Sequence, residues 1–373
     1  MAAHGVRANA VAPGMIRTPM TDAMFQDHTN VARIRKAHPI GREGQPEEVA
    51  AVIAFLLSGE SSFVTGTIIP VDCGMTAARP RSEIRKHASP GDLCREIPMD
   101  VGRLGRATLH ARVERWECDF NDHWNVRFYV RSFHMAAEVV ATPPGVVSVG
   151  AGLVTSRYLR FHRELFVNAP VEVRSVIVAD GPFQDSTVHL LCSDGRLAAT
   201  AMERLPAVGA TLPRANAHDL ALALPRPTSA TGGDAAAAGL PATATLGPIR
   251  PAELDHTGAL LWEELMRRLS LAAHQHVTRL GFTPDFVRQS GINRMSAEMW
   301  VERHAEAVPG TCLRADSRLL AVGRKSFSTE HRIETEGGIL LASIRQTLVV
   351  VDLTTRRVVE TPEFLRAAIG QMR

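Results

Sequence analysis

Residues 119–129, Asp-Phe-Asn-Asp-His-Trp-Asn-Val-Arg-Phe-Tyr, decide the fold, together with a weaker echo, Asp-His-Thr-Gly-Ala-Leu-Leu-Trp, that begins at Asp255. In each stretch a carboxylate stands on a short loop just ahead of an amphipathic helical pattern. A carboxylate in such a place is suited to acid–base or nucleophilic chemistry. Because the arrangement occurs twice, it predicts a duplicated unit.

Further landmarks keep their order in both copies and support the duplication. The offset between the copies rises from 136 through 139 to 142 residues, a small drift for a repeat that is too long and too few-fold to be a solenoid. The pairs are Asp119 with Asp255, Asn168-Ala169-Pro170 with Val308-Pro309-Gly310, and Asp194-Gly195 with Glu336-Gly337-Gly338.

Periodicity within each copy predicts one long helix followed by an antiparallel sheet. Apolar residues at i, i+3 and i+4 spacing run from Val126 to Val140, and from Leu261 to Ala272 in copy two, as in a helix with one buried face. Alternating strands follow, among them a hairpin of residues 326–335 and 339–351 turned by Glu-Gly-Gly. The predicted fold class is α+β, with a sheet wrapped around the helix in each copy.

The composition is that of a globular protein with two or three domains. The 373 residues carry a net charge of +3, and 45% of them are hydrophobic. The five cysteines are scattered, and His274 and His276 lack a ligand spacing, so neither disulfides nor a metal site is expected. The sequence shows no apolar span of about 20 residues, no signal segment and no basic run interleaved with aromatic residues. A cytoplasmic protein that binds neither membrane nor nucleic acid is therefore predicted.

Shifts in composition divide the chain into five segments. Residues 1–78 alternate short apolar strands with helical patterns, and the Arg/Pro/Gly-rich residues 79–105 read as a linker. The two copies occupy residues 106–204 and 249–373. Residues 205–248 between them are rich in Ala, Pro, Thr and Gly, and predict a flexible crossing segment because they offer little apolar surface to bury.

The motif ahead of the first helix resembles that of hotdog-fold acyl-CoA thioesterases, in which a strand and then Asp-x-x-Gly-His-(Val/Met)-Asn precede the central helix. By this resemblance residues 113–118 are the strand, Asp119 is the catalytic carboxylate, and His123 and Asn125 occupy the family's His and Asn positions. Asp122 stands where the family usually has Gly, so the local turn is expected to differ. The resemblance covers about 106–204 and 249–370, most of the chain.

The second copy departs further from the motif. It keeps Asp255 and Gly258 but has Ala259 where the histidine belongs. In relatives the site often forms between two hotdog units, so the resemblance implies a fused pseudo-dimer. Asp119 is expected to be the active carboxylate, and Asp255 to be weaker or structural.

Thioester hydrolysis suits these residues chemically. A carboxylate can activate water or attack the carbonyl directly, and the start of a helix near Asn125 offers backbone N–H groups to the oxyanion. Each residue also has a structural interpretation, since an Asp before a helix is often an N-cap and a histidine is often a core residue. Glu138 and Glu264 lie on the helices as auxiliary carboxylates or, more commonly, solvated charges.

Hydratases of the same fold offer a different chemistry for this loop. Their loop reads Asp-x-Asn-Pro-x-His, whereas residues 119–123 lack the proline and are one residue short before the histidine. The loop also precedes the long helix, which favours a thioesterase.

The amino-terminal residues resemble another family, the short-chain dehydrogenases/reductases. The resemblance rests on residues 5–20, Gly-Val-Arg-Ala-Asn-Ala-Val-Ala-Pro-Gly-Met-Ile-Arg-Thr-Pro-Met, and on 39–42, 46–49 and 64–72, with Cys73 in place of the family's usual Gly. It implies that four residues line the nicotinamide side of the cofactor. They are Pro13, Gly14, Ile16 and Thr18.

The Gly-rich turn and the Tyr-x-x-x-Lys pair of that family are missing from these 373 residues. The segment is therefore expected to be an incomplete dehydrogenase without activity in this chain, and NAD(P) is expected only if an upstream dehydrogenase part exists. Thioesterase chemistry needs no cofactor beyond the coenzyme A of its substrate. The resemblance also implies homodimers formed through the hotdog sheets.

Taken together, the residues predict an acyl-CoA thioester hydrolase with two fused hotdog units. Two alternatives stay open. One is an NAD(P)-dependent dehydrogenase/reductase whose N-terminal catalytic part is missing, and the other is a non-catalytic acyl-CoA-binding module.

Overall fold

The computed structural model describes residues 6–26, 31, 35, 38, 40–74, 104–119, 123–142, 145–148, 150, 152, 154–205, 212–226, 242–306 and 308–370. The chain divides into two compact units, Met1–Ser89 and Pro90–Arg373. The predicted linker 79–105 lies outside the described residues except at Leu104 and Gly105.

The amino-terminal unit holds a two-stranded parallel sheet and a helix. Strand β1 (Ala10–Pro13) pairs with β2 (Ile68–Val71). Helix α1 (Pro46–Leu57) begins with a proline, whose missing N–H costs nothing at that position. The apolar spacing of Val49, Val52, Ile53 and Leu56 predicts a helix from Gln45 to Leu57 that buries these four residues. The helix is confirmed, but Ile53 is 43% exposed, while Leu56 is buried. Cys73, where the resembled family has Gly, adopts a φ of 60°, a region in which glycine is less strained.

The carboxy-terminal unit contains both predicted copies, each a long helix against antiparallel strands. Copy one has helix α2 (Val126–Ala141) with β3 (Arg106–Arg112), β4 (Ser156–Phe161), β5 (Pro170–Val178), β6 (Thr187–Ser193), β7 (Arg196–Glu203) and the short β8 (Arg214–Ala215). Copy two has helix α3 (Trp262–Arg279) with β9 (Ala242–Pro248), β10 (Ile292–Arg303), β11 (Cys312–Val322), β12 (Ser326–Thr335), β13 (Leu340–Asp352) and the short β14 (Arg357–Val358). Helices α4 (Pro284–Ser290) and α5 (Glu363–Gly370) also belong to copy two. The predicted α+β double hotdog is confirmed.

The strands join in one sheet with internal symmetry. Their order is β3-β5-β6-β7-β4-β10-β13-β12-β11-β9, so the second half repeats the first in reverse. A pseudo-twofold axis passes through the pair of Tyr158 and Trp300, which lie 142 positions apart in the sequence. On either side of that pair, Arg160 faces Glu298 and Ser156 faces Glu302, and these two pairs exchange under the same offset. The two copies therefore pack as a pseudo-dimer within one chain.

Both helices bury their apolar faces in a single core on one side of this sheet. In α2 the predicted face is confirmed, since Tyr129, Val130, Phe133, Ala137 and Val140 are all buried. In α3, Leu265, Leu269 and Ala272 join the same core. Burial of such side chains stabilises the fold by roughly 1.5–3 kcal/mol each, so docking of the two copies is part of the stability of each.

Residues 113–118, predicted as the strand before the motif, are not a strand. Strand β3 ends at Arg112, and Arg115–Glu117 form one turn of 3-10 helix. The Glu117 carboxylate accepts the backbone N–H of Glu114 at 3.3 Å, which closes this turn. Side-chain closure of a turn thus competes successfully with extended pairing.

The segment 205–248, predicted as a flexible crossing, contributes ordered structure. Strand β9 pairs with β11 at the edge of the sheet, so copy two includes residues 242–248, which were predicted to belong to the crossing segment. Leu220 and Leu224 pack against the other face of the sheet. Residues 206–211 and 227–241 lie outside the described part of the chain.

The sequence offset between equivalent residues of the two copies changes along the chain for a structural reason. The offset is 136 residues at the aspartate loops and 142 in most of the sheet, because copy two inserts α4 between its long helix and β10. Asn168 N–H bonds to Val113 O as Gly310 N–H does to Ile249 O. Asn168 therefore corresponds to Gly310, and the predicted alignment was three residues off there. Both residues have a positive φ, 67° and 85°.

Candidate active site

In both copies an aspartate closes the loop that leads into the long helix. Asp119 N–H bonds to His123 O at 2.8 Å, and Asp119 Oδ1 accepts the His123 N–H at 3.1 Å. Asp255 makes the same two bonds with Ala259, at 2.9 and 3.0 Å. Residues 120–122, at the tip of the first loop, lie outside the described residues. The two aspartates thus occupy equivalent positions at opposite ends of the shared core.

A buried glutamate fixes the start of each loop. Glu117 forms an ion pair with Arg131 on α2, and Glu253 forms the equivalent pair with Arg267 on α3. Glu117 also accepts the indole N–H of Trp124 at 2.8 Å. Anchoring on the helix that the loop enters holds each aspartate in a defined position relative to the helix start.

At the first loop, both copies supply side chains to one cluster, called here the Asp119 site. His123 Nδ1 lies 2.9 Å from Glu164 Oε1. Arg356, in the turn before β14 of copy two, reaches Glu164 Oε2 at 3.1 Å and His123 Nε2 at 3.4 Å. This geometry favours the tautomer in which Nδ1–H donates to the carboxylate and Nε2 accepts from the guanidinium. The ring is therefore held from both sides, by one residue of each copy.

Sequence reasoning did not find Glu164 or Arg356. The two residues are 192 positions apart, and neither belongs to a motif. Arg356 has a φ of 57°, and such a positive φ at a non-glycine residue is uncommon. Only the packing of copy two on copy one brings it to His123.

The second loop lacks this arrangement, and its surroundings are called here the Asp255 site. Glu306 takes the place of Glu164, because the residues before each make the same backbone hydrogen bonds to the neighbouring strand. Ala259 takes the place of His123, so the carboxylate has no imidazole to hold at that position. Asp255 Oδ1 accepts three N–H or O–H groups of its own loop, from Thr257 N, Thr257 Oγ1 and Ala259 N, at 2.8, 2.7 and 3.0 Å.

Copy one closes over the Asp255 site. Gly150 has a φ of +77°, and a Cβ added there would lie 2.5 Å from Asp255 Oδ2. A Cβ on Gly152 would lie 3.6 Å from the Cβ of Ala259. Gly152 borders a cavity of about 230 Å³ whose other lining residues are Thr155, Arg303, His304, Ala305 and Glu306.

The remaining predicted residues of the hotdog region make structural contacts. Asn125 caps α2, with Oδ1 accepting the Arg127 N–H at 3.1 Å. Glu138 accepts the Ser148 hydroxyl at 2.5 Å. Glu264 binds Arg127 of copy one at 3.0 Å and thereby links the copies.

A chain of buried polar side chains in copy one was also missed by sequence reasoning. Ser175 Oγ lies 2.7 Å from His189 Nδ1, and His189 Nε2 lies 3.1 Å from Glu203 Oε1. Arg157 Nε donates to Glu203 Oε2 at 2.5 Å. Burial alone would raise the pKa of Glu203, but Arg157 and His189 outweigh it and hold that pKa at about 2. The pair of Arg157 and Glu203 is thus charged in the interior.

The four residues assigned to a nicotinamide site lie on one segment at the end of β1 and just after it, in the amino-terminal unit. Gly14 N–H bonds to Val71 O at 3.0 Å, and Ile16 forms a bridge with Gly44. Pro13 ends β1, and Thr18 Oγ1 lies 3.1 Å from the hydroxyl of Thr21. Their assignment to a cofactor stays a prediction.

In the part of the chain that the structure describes, no group of three or more His, Cys, Asp or Glu side chains is placed to hold a metal ion. Nor does any described helix combine the length and apolar character needed to cross a membrane. His274 instead contacts Arg294 through Nδ1 at 3.2 Å.

Two family models match separate parts of the chain. Residues 249–369 match the thioesterase-like superfamily. Residues 1–76 match a family described as enoyl-(acyl carrier protein) reductase. The thioesterase-like match spans the long helix and most of the sheet of copy two.

Curated relatives match the amino-terminal part. The 3-oxoacyl-[acyl-carrier-protein] reductase FabG of Thermotoga maritima is 51% identical over 75 residues, which are 20% of this chain and 30% of the relative. Cyclohexanol dehydrogenase of an Acinetobacter species is 53% identical over 73 residues, 20% of this chain and 27% of the relative. The chain thus spans less than a third of the length of these two relatives.

Two thioesterases are among the solved structures that match this chain. A putative oleoyl thioesterase from Lactobacillus plantarum is 16% identical, with a TM-score of 0.45, over 65% of this chain and 93% of that one. The 12:0-ACP thioesterase from Umbellularia californica is 12% identical, with a TM-score of 0.40, over 64% and 92%. By its strand order and its two family matches, the chain joins a segment that matches the reductase model to a double hotdog whose second unit matches the thioesterase-like superfamily.

Proposed function

We propose that this chain hydrolyses acyl-coenzyme A thioesters at the Asp119 site. The observation that carries the proposal is the cluster in which Asp119 closes its loop onto His123 while Glu164 and Arg356 hold the His123 ring. The match of copy two to the thioesterase-like superfamily supports the reaction class. The acyl-CoA identity of the substrate rests on the resemblance of the loop motif.

The roles follow from the chemistry of the groups. Asp119 is the carboxylate that activates water or attacks the thioester carbon. In either route the carbonyl oxygen becomes negatively charged. The Arg356 guanidinium offers positive charge beside this loop, and the start of α2 offers backbone N–H groups, to stabilise that oxygen. Asn125 stabilises the helix start by capping it. Asp255 is the equivalent residue of a site that lacks the histidine, and we assign it the weaker role.

The test is thiol release from a panel of short, branched, aromatic and long acyl-CoAs, with Asp119→Asn beside Asp255→Asn. Asparagine retains an Oδ1 that accepts the N–H four residues on, so both loops keep their closure. We expect Asp119→Asn to lower kcat/KM by about 10²-fold or more, within the range for general acid–base groups, and Asp255→Asn to lower it less.

Equal losses in the two variants would contradict the assignment of the active site to Asp119. Folded wild-type protein that binds acyl-CoA but turns over no ester would contradict hydrolysis. In that case the chain would be a binding module, and Asp119→Ala would leave the affinity unchanged.

A further inference from the structure

Glu164, which binds both His123 and Arg356, lies on a segment after β4 that belongs to no helix or strand. Its side chain is 22% exposed, so packing encloses it only in part. The Trp124 N–H donates to Leu165 O at 2.8 Å and joins this segment to the loop that enters α2. A side chain on such a segment keeps a defined direction only where further contacts hold the backbone that carries it.

The hydroxyl of Tyr129 on α2 makes those further contacts. It accepts the Leu165 N–H at 3.0 Å, and it lies 3.5 Å from Arg163 O, to which it donates. Arg163 O and Leu165 N–H belong to the two peptide units on either side of the Glu164 Cα atom. One hydroxyl therefore contacts both units and restricts the two backbone torsions that set the direction of the Glu164 side chain.

Tyr129 is itself held in place by packing. It is 4% exposed, and its ring centroid lies 4.4 Å from that of Trp124 and 5.8 Å from that of Phe161. Burial raises the pKa of the Tyr129 hydroxyl, so the group stays protonated and keeps its donor for Arg163 O. A buried ring on a helix is a rigid support for a residue on an irregular segment.

The other end of the core lacks this hydroxyl. By the offset of 136 residues between the aspartate loops, Tyr129 corresponds to Leu265 on α3, whose side chain forms no hydrogen bonds. Glu306, the equivalent of Glu164, is exposed there. The tyrosine thus occurs at the end where the glutamate has a histidine to hold.

We propose that Tyr129 is a positioning residue of the Asp119 site, which holds the backbone on both sides of Glu164 and so keeps the Glu164 carboxylate against His123 and Arg356. The inference deepens the proposed hydrolysis, and its effect on rate rests on that function. Its effect on the His123 ring does not.

The first test compares Tyr129→Phe with Tyr158→Phe. The chain has two tyrosines, and Tyr158 is 2% exposed in the cluster on the other face of the sheet, so it is a matched control. Tyr129→Phe keeps the ring but leaves the buried Leu165 N–H without its acceptor, which favours movement of the segment. We expect it to lower kcat/KM for acyl-CoA hydrolysis by about tenfold, because a small displacement of a positioned group is costly. Tyr158→Phe should change kcat/KM less than about twofold.

A double-mutant cycle separates positioning from a general contribution to the fold. In a Glu164→Gln background, Tyr129→Phe should lower kcat/KM by less than about a further twofold, because the carboxylate through which it acts is already absent. Equal losses in the two backgrounds would show that the hydroxyl does not act through Glu164, and would refute the positioning role.

A measurement without substrate decides between this inference and the proposed function. In ¹⁵N NMR spectra of histidine-labelled protein, the His123 signals are those absent from His123→Gln. Tyr129→Phe should shift the Nδ1 signal of His123, and Tyr158→Phe should not. An unchanged signal together with wild-type kcat/KM in Tyr129→Phe would refute the positioning role and leave hydrolysis standing. A shifted signal in a protein that turns over no ester, wild type included, would refute only the proposed thioesterase.

Discussion

The Asp119 site and the Asp255 site share a backbone and differ in almost every side chain that could act on a ligand. Both loops are closed by the same pair of aspartate hydrogen bonds and enter equivalent helices. One site holds a histidine between Glu164 and Arg356, while the other has Ala259 and a cavity bordered by Arg303. A shared loop geometry therefore positions a carboxylate, and side chains from both copies decide what surrounds it.

The largest effect that separates the sites is expected from their equivalent glutamates. Glu164→Gln removes the negative charge that orients His123 and binds Arg356, and should lower kcat/KM for acyl-CoA hydrolysis by about 10²-fold. Glu306→Gln at the Asp255 site should change it less than about twofold, a change too small to indicate a lost interaction. Parallel steady-state assays of the two variants check this. Similar losses would mean that both ends hydrolyse the substrate.

A second comparison concerns two glycines with nearly the same positive φ. Gly150→Ala places a Cβ 2.5 Å from Asp255 Oδ2, whereas Gly145, with a φ of +81°, has no atom within 4 Å of an added Cβ. Gly145→Ala should lower the free energy of unfolding only by the strain of a left-handed backbone at a non-glycine residue, about 1–2 kcal/mol. Gly150→Ala should lower the free energy of unfolding by a further 1–3 kcal/mol or so, because the packed loop must move. Urea denaturation measures both, and equal losses would show that Gly150 does not meet the Asp255 loop.

The smallest expected effect is on the pH dependence of the free energy of unfolding, and it concerns His134, whose equivalent at the other end of the core is Ser270. Burial, aided by Arg157, lowers the pKa of His134 to about 3 in the folded chain, whereas an unfolded histidine has a pKa near 6.5. Between these two pKa values the unfolded state binds more protons than the folded state. The stability that the chain has with a neutral His134 is therefore fully present above about pH 6.5 and is lost as the pH falls toward 3. Between pH 7.5 and 5.5 the wild type should lose about 1.4 kcal/mol more than His134→Ser, which installs the residue found at the equivalent position 270.

Urea midpoints at the two pH values give this difference. Other buried histidines, such as His331, whose pKa burial lowers to about 3, add to the acid sensitivity of both proteins and cancel in the comparison. If the wild type and the variant lost equal stability between the two pH values, the His134 ring would be in contact with solvent.

Much of the fold follows from sequence because it depends on local periodicity. The faces of α2 and α3 and the hairpin of β12 and β13 are set by residues close in sequence. Residues 113–118 were misassigned, since the Glu117 side chain closes a turn that alternation alone does not reveal. Strand β9 was missed because its Ala/Thr composition offers few apolar residues, although β11 pairs with it along its whole length.

The candidate site was predictable only in the part that one loop carries. Asp119, His123 and Asn125 are contiguous and match a motif. Arg356 reaches His123 from 233 positions away, and no local pattern encodes that contact. The buried arginines Arg157 and Arg303 were hidden for the same reason, because they stand out only when they are compared with Met299 and Phe161, their equivalents across the axis.

The pairing of Tyr158 with Trp300 on the pseudo-twofold axis has a consequence for how such a protein changes over generations. In a dimer of identical chains, a single codon change alters both sites together. Here the two positions on the axis already carry different residues, and a mutation reaches one end only. One end can thus drift toward a new ligand while the other remains under selection for its original role.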